Sequence, residues 1–62
     1  MENRMREIRA QKGLTLEYIS YKAKVSTGYL SHLENGNRKN PSKEVMESIA
    51  KALEEPVTEV FF

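Results

Sequence analysis

The residues between positions 26 and 35 carry side chains that form hydrogen bonds, and few that carry out covalent chemistry. Thr27 and Ser31 supply hydroxyls, His32 supplies an imidazole, and Gly28 leaves the backbone uncovered. A hydroxyl donates or accepts a hydrogen bond, and a neutral imidazole does both. Such a set is suited to reading the polar edge of another molecule.

The rest of the composition argues against an enzyme. The chain has one histidine and no cysteine, and all nine of its acidic residues are glutamates. A catalytic or metal centre needs several titratable or ligating groups that face one pocket. A chain of 62 residues also leaves little room for a deep pocket. We therefore expect no enzymatic activity, no metal, no cofactor and no small-molecule substrate.

The elements that position these residues are predicted to be helices. Apolar residues recur at helical spacing, and no sustained alternation of apolar and polar residues marks a strand. The pattern predicts an all-α domain of about five short helices. The first three are expected at roughly 2–12, 16–23 and 27–35. The fourth begins after Ser42, ends where Pro56 breaks it, and buries Val45, Met46, Ile49, Ala50 and Leu53. The fifth is a short helix over Val57, Val60 and Phe61.

The helix ends carry recognisable signals. Thr15, Ser26 and Ser42 each stand just before a helix, where a hydroxyl caps the free backbone N–H groups. Gly13 and Gly36 stand just after a helix, where glycine takes the left-handed conformation that ends it.

The connection between the second and third helices is only Lys24 and Val25 long. A connection that short makes the two helices cross steeply, which predicts a helix-turn-helix over about residues 15–35. The use of this motif is to press its second helix into the major groove of DNA. Because Leu30 and Leu33 point to the core, Thr27, Gly28, Ser31, His32 and Asn35 are expected on the outer face.

Gly28 lowers the stability of its helix by roughly 1 kcal/mol relative to alanine. Close approach of the helix to a nucleic acid would justify a residue without a side chain. The alternative is a tolerated surface glycine.

Charge is unevenly distributed along the chain. Residues 1–43 hold nine Lys and Arg against four Glu, for a net charge of +5, whereas residues 44–62 hold one Lys against five Glu. A local basic surface fits contact with phosphates. A solvated charged face is the alternative.

Several segments, taken in order and at their spacing, resemble the phage-repressor/Cro-type helix-turn-helix family, also called the XRE family. The resemblance covers nearly the whole chain and implies one lambda-repressor-like domain over residues 1–62. It also implies that the third helix reads bases and that the protein binds two half-sites as a dimer. The segments are Gly13-Leu14-Thr15, Val25-Ser26, Tyr29-Leu30-Ser31, Leu33-Glu34-Asn35-Gly36, Asn40-Pro41-Ser42 and Ile49-Ala50-Lys51-Ala52-Leu53.

The resemblance assigns base reading to Thr27, Gly28 and His32, with Ser31 as a further base or phosphate contact. Thr27 offers a hydroxyl and a methyl group to a base edge, and His32 offers a hydrogen bond to a purine N7 or O6. The alternative for His32 is an exposed histidine without a partner.

Phosphate contacts are expected from the residues around the third helix. The resemblance assigns the loop after that helix to them, and Lys24, which departs from the family pattern, is added because its ammonium is expected to reach a phosphate itself. For Tyr29 an equal interpretation is that its ring covers the core. The set is Lys24, Ser26, Tyr29, Asn37, Arg38, Lys39, Asn40 and Lys43. The resemblance also implies a structural ion pair between Arg9 and Glu34.

Two positions depart from the family pattern. Leu16 stands where many members have a glutamine that binds a phosphate, and Lys24 stands where many have a left-handed glycine. For Lys24 that conformation would cost on the order of 1 kcal/mol.

Val57, Val60 and Phe61 are expected to close the core, whereas Phe62 has little reason to be apolar in a monomer. The apolar end of the chain, Val60, Phe61 and Phe62, is therefore interpreted as a dimer contact, with folding onto its own domain as the alternative. Together these features predict a cytoplasmic regulator, expected to be a repressor, that binds a double-stranded DNA operator as a homodimer and has no membrane segment. A protein-interaction module, such as an antitoxin or an accessory subunit with the same fold, is the second hypothesis.

Overall fold

The computed structural model describes residues 3–36 and 41–61, and these form five α-helices. The bounds are α1 Met5–Lys12, α2 Leu16–Ala23, α3 Thr27–Glu34, α4 Lys43–Leu53 and α5 Val57–Val60. The all-helical class and the helix order are therefore confirmed. Predictions made for residues 1, 2, 37–40 and 62 lie outside the described residues.

The three predicted hydroxyl caps are present. Thr15 accepts a hydrogen bond from the backbone N–H of Tyr18 at 3.0 Å, and Ser26 accepts one from Tyr29 at 3.0 Å. Ser42 accepts from the third residue of α4 at 3.1 Å. Each bond satisfies one of the backbone donors that a helix leaves without a partner at its start.

A left-handed residue caps three of the helices, and left-handed Gly36, with φ +76° as predicted, directly follows the cap residue of α3. Gly13 ends α1 with φ +69°, as predicted, and Lys24 ends α2 with φ +62°. For α4 the sequence interpretation was wrong in detail, because Glu54 ends the helix with φ +59° before the proline is reached. Pro56 instead begins α5 as its N-terminal cap.

The first and third helices are shorter than expected. Helix α1 begins at Met5 rather than near residue 2, because Asn3 Oδ1 accepts a hydrogen bond from the Met5 N–H at 3.0 Å. The Asn3 amide also donates to the Leu33 carbonyl at 3.0 Å. Helix α3 ends at Glu34, with Asn35 as its C-terminal cap.

The core lies where the helices meet, and α2 makes its most extensive packing contacts with α4. Two predicted core residues, Val45 and Met46, are only half-buried at its edge. Ala52 is buried although the helical pattern did not assign it to the core. The largest fully buried side chains are Met5, Ile19, Leu30, Leu33, Ile49, Leu53 and Val60.

Polar contacts join the N-terminal helix to the C-terminal part of the fold. The Arg4 N–H donates to the Val60 carbonyl at 2.8 Å. The Lys12 ammonium donates to the Leu53 carbonyl at 2.6 Å and lies 2.9 Å from the Glu55 carboxylate. A cation at a helix C-terminus is favourable because the free carbonyls there carry partial negative charge. None of the helices over residues 3–36 and 41–61 is long and apolar enough to cross a membrane.

Candidate nucleic-acid interface

Helix α3 presents one buried and one outward face. Leu30 and Leu33 are fully buried, whereas Thr27, Gly28 and His32 are exposed. Ser31 is half-buried beside them. The structure thus brings the four predicted base-reading residues onto the same side of one helix, and we call this set (Thr27, Gly28, Ser31, His32) the recognition face.

The turn that precedes α3 is closed by Ser20. Its carbonyl accepts hydrogen bonds from the N–H groups of Lys24 at 2.8 Å and Val25 at 3.3 Å, and its hydroxyl donates to the Val25 carbonyl. Lys24 adopts the left-handed conformation that the family usually gives to glycine. The N-terminus of α3 is therefore held in a defined position relative to α2.

Neither steric crowding nor backbone conformation requires a glycine at position 28. It lies in the first turn of α3, its φ is not positive, and a Cβ placed on it would meet no atom within 4 Å. An alanine would fit and would stabilise the helix. Nothing in the surroundings of this position therefore requires a glycine.

The C-terminal end of α3 is tied to α1 by a buried carboxylate. Arg9 Nε donates to Glu34 Oε2 at 2.8 Å, and a second guanidinium nitrogen donates to Oε1 at 3.2 Å. The Glu34 side chain is 2% exposed, against 21% for Arg9. The hydrogen bond from Arg9 to Glu34 raises the pKa of Arg9, partly opposed by desolvation. Arg9 also donates to the Leu14 carbonyl at 3.1 Å, so it links three parts of the chain.

A second arginine reaches the same helix end. Arg6 Nε lies 3.4 Å from Glu34 Oε1, and its guanidinium also donates to the Asn35 side-chain oxygen. Unlike Arg9, Arg6 is 61% exposed. It therefore adds positive charge to the surface next to the end of α3.

The predicted phosphate-binding residues divide into three groups. Lys24 and Lys43 are exposed at the ends of α2 and α4. Ser26 uses its hydroxyl as the cap of α3, and Tyr29 is half-buried against the core, so its ring does cover apolar residues. The loop residues Asn37, Arg38, Lys39 and Asn40 lie outside the described residues.

Leu16 packs against the core at the start of α2. The apolar residue at this position therefore contributes to stability where the commonest family pattern has a phosphate-binding glutamine. This gives a structural reason for the departure from the family pattern.

The end of the chain does not offer an apolar surface through the residues described. Val60 has no exposed area and Phe61 is 8% exposed, since both pack into the core. The expectation that Val60 and Phe61 close the core is therefore confirmed, and their burial does not support these two side chains as dimer contacts. Phe62 lies outside the described residues.

Sequence reasoning missed Arg6, Ser20 and Asn3. Each of them acts through a contact that helical periodicity does not predict. Arg6 contacts Glu34, 28 residues away, and Asn3 contacts Leu33, 30 residues away. Ser20 gave a partial signal, as a small polar residue one turn before a tight connection.

A family model described as helix-turn-helix matches residues 5–60 of this chain. The chain is also 45% identical over 56 residues to the transcriptional regulator ClgR of Mycobacterium tuberculosis. That alignment covers 90% of this chain and 49% of ClgR, so the chain spans about half the length of this relative.

Solved structures resemble the fold closely. The restriction-modification controller protein C.AhdI of Aeromonas hydrophila superposes with a TM-score of 0.84 at 32% identity, over 90% of this chain and 83% of that one. The N-terminal DNA-binding domain of SinR from Bacillus subtilis gives a TM-score of 0.79 at 33% identity, over 89% and 80%. The match to the family model extends over all five helices rather than over the two-helix motif alone.

Proposed function

The chain belongs to the XRE-type helix-turn-helix family of DNA-binding transcriptional regulators, and from that premise we propose that it reads the major groove of a specific operator with the recognition face. The observation that carries this proposal is Gly28: a glycine that costs helix stability, has empty space around it and lies at the N-terminus of the outward helix. A DNA duplex that contacts the backbone at this point gives the glycine a function.

The recognition face has the hydrogen-bonding capacity for base reading. Thr27 and His32 are exposed and lie more than one helical turn apart, so they face successive positions along the groove. A hydroxyl and an imidazole both bond to purine N7 or O6. Each correct contact of this kind contributes about 1–3 kcal/mol of discrimination between bases.

Phosphate contacts would set the orientation of α3 in the groove. Lys24 and Lys43 lie at the ends of the helices that flank α3, and Arg38 and Lys39 follow it in the sequence. Contacts to phosphates carry no sequence information but fix the register of a protein on the duplex. The buried Arg9–Glu34 pair would keep α3 rigid against α1 while these contacts form.

We also propose that the protein acts as a cytoplasmic repressor and as a dimer. One short helix contacts few base pairs, so a second copy on an adjacent half-site would multiply the specificity. This arrangement requires a pseudo-palindromic operator with half-sites about 10 base pairs apart, or a multiple of that distance.

The test is a selection of bound sequences from random duplex DNA. The proposal predicts enrichment of one motif with two related halves. If no motif is enriched and affinity at physiological salt stays weaker than roughly micromolar, which is typical of non-specific binding, the proposal is wrong.

A further inference from the structure

Helices α2 and α4 border an open cleft of about 600 Å³, and of the residues that line it only Lys24 is also a proposed DNA contact. The C-terminal end of α2 supplies Tyr21 and Lys22, with Lys24 just beyond it, and α4 supplies Ser48 and Lys51. We call this feature the lysine cleft, defined by these five residues and the alanines between them.

The cleft concentrates positive charge without neutralising it. Lys22, Lys24 and Lys51 are exposed, and none of them forms an ion pair with a carboxylate among residues 3–36 and 41–61. Arg4, Arg6, Arg9 and Lys12, by contrast, all have acidic partners, whereas Lys43 at the other end of α4 has none among the same residues. Three free ammonium groups around one concave surface favour an anionic partner.

The cleft also has an apolar component. Tyr21 is 79% exposed, about twice the exposed fraction of Tyr18 on the same helix, which is 38%. Ala23 and Ala52 line the cleft and are buried, so small side chains leave space between the two helices. Exposed tyrosines that border such space are enriched in protein interfaces, because the ring contributes contact area and the hydroxyl a hydrogen bond.

Lys22 is partly held in place. Its ammonium lies 5.9 Å from the centre of the Tyr18 ring, within the range of a cation–π contact. That contact positions the charge beside Tyr21 without neutralising it.

We infer that the lysine cleft binds an acidic peptide segment of a partner protein, with carboxylates on the three lysines and one apolar side chain between Tyr21 and the alanines. A protein segment fits these observations better than DNA does. A duplex backbone offers phosphates to the lysines but no apolar side chain to the space beside Ala23 and Ala52. The volume also lies within the 300–1,000 Å³ typical of ligand clefts.

The experiment uses a fluorescein-labelled synthetic peptide that is rich in glutamate and carries one central leucine, with fluorescence anisotropy as the readout. A second peptide, in which glutamine replaces every glutamate, is the control for charge. The inference predicts saturable binding of the acidic peptide and weaker binding of the glutamine peptide, with a difference in affinity that shrinks as salt rises because the lysines are exposed.

Two matched variants locate the binding site, because Lys51 and Lys43 are both exposed lysines of α4 and only Lys51 lines the cleft. Lys51→Gln should weaken peptide binding about two- to five-fold, the effect of one exposed charge pair, and leave DNA affinity unchanged. Lys43→Gln should leave peptide affinity unchanged. Tyr21→Ala should weaken peptide binding about five-fold or more.

Several outcomes would overturn the inference. Equal affinity for both peptides would show that the carboxylates are not recognised. Equal effects of Lys51→Gln and Lys43→Gln would show attraction by overall charge rather than binding in the cleft. A loss of DNA affinity in Lys51→Gln would assign the cleft to DNA. A sedimentation coefficient of Lys51→Gln that differs from that of the unsubstituted protein, with no peptide present, would assign it to a second copy. The peptide measurements need no operator, so they remain decisive even if the proposed DNA-binding function is wrong.

Discussion

Arg9 Nε lies 2.8 Å from Glu34 Oε2, so the last residue of α3 is joined to α1 by an ion pair whose carboxylate is almost fully buried. Burial of an ion pair adds little net stability, because desolvation opposes the attraction. Removal of one partner is costly, because the other charge is left buried. The pair therefore fixes the position of α3 more than it stabilises the fold.

Arg9→Met should lower the free energy of unfolding by about 1–3 kcal/mol, since it leaves the Glu34 carboxylate short of hydrogen bonds. Arg6→Met is the matched control on the same helix. The Arg6 side chain is mostly exposed, so its loss should cost about 1 kcal/mol or less. Urea unfolding measures both, and equal losses would show that the burial of the Arg9–Glu34 pair has no energetic consequence.

Gly28→Ala should raise the free energy of unfolding by up to about 1 kcal/mol, because alanine is the better helix former and the added methyl group meets nothing. The same variant should bind the selected operator about ten-fold more weakly, the cost of one poor position in the interface. Thermal unfolding and fluorescence anisotropy give the two values.

Gly13→Ala is the control for Gly28→Ala. Gly13 also has open space around its Cβ position, but its φ is +69°, so alanine should destabilise the fold by about 1 kcal/mol. It lies in the connection between α1 and α2 and should not affect DNA affinity. Unchanged operator binding by Gly28→Ala would mean that Gly28 is only a tolerated surface glycine.

Lys24→Gly should stabilise the fold by up to about 1 kcal/mol, because glycine adopts the left-handed conformation without strain. It should also weaken DNA binding and reduce the dependence of affinity on salt, because one phosphate contact is lost. Glu54→Gly tests the same strain at φ +59° in a residue with no proposed DNA contact. An unchanged salt dependence in Lys24→Gly would remove Lys24 from the interface.

Thr27→Ala and His32→Ala should change which base is preferred at single positions of the operator. Arg38→Ala should instead weaken binding to all sequences by a similar factor, because a phosphate contact does not read sequence. Parallel selections from random duplexes compare the three variants. If Thr27→Ala and His32→Ala reduced affinity for operator and random DNA equally, the recognition face would be wrongly assigned.

Local signals predicted much of this fold. The caps at Thr15, Ser26 and Ser42 and the stop at Gly13 each depend on one side chain and its neighbours, so they can be read from a few consecutive residues. The outward face of α3 followed from the spacing of Leu30 and Leu33. These features require no knowledge of the remaining helices.

Tertiary contacts could not be predicted in the same way. The start of α1 depends on Asn3, whose amide is held by the Leu33 carbonyl 30 residues away. The left-handed end of α4 occurs at Glu54, a residue type with no preference for that conformation, where the Lys12 ammonium donates to the Glu54 carbonyl. Arg9–Glu34 was expected only because the family resemblance implied it.

Base reading by the recognition face is tested by two dissociation constants measured at physiological salt. One is for the selected operator, and the other is for a duplex of the same length with scrambled sequence. If the recognition face reads bases, the protein should bind the operator at least about 10³-fold more tightly than the scrambled duplex, as specific regulators do. A ratio near one, with both affinities falling equally as salt rises, would show that the protein binds DNA only through its charge and that the recognition face does not read bases.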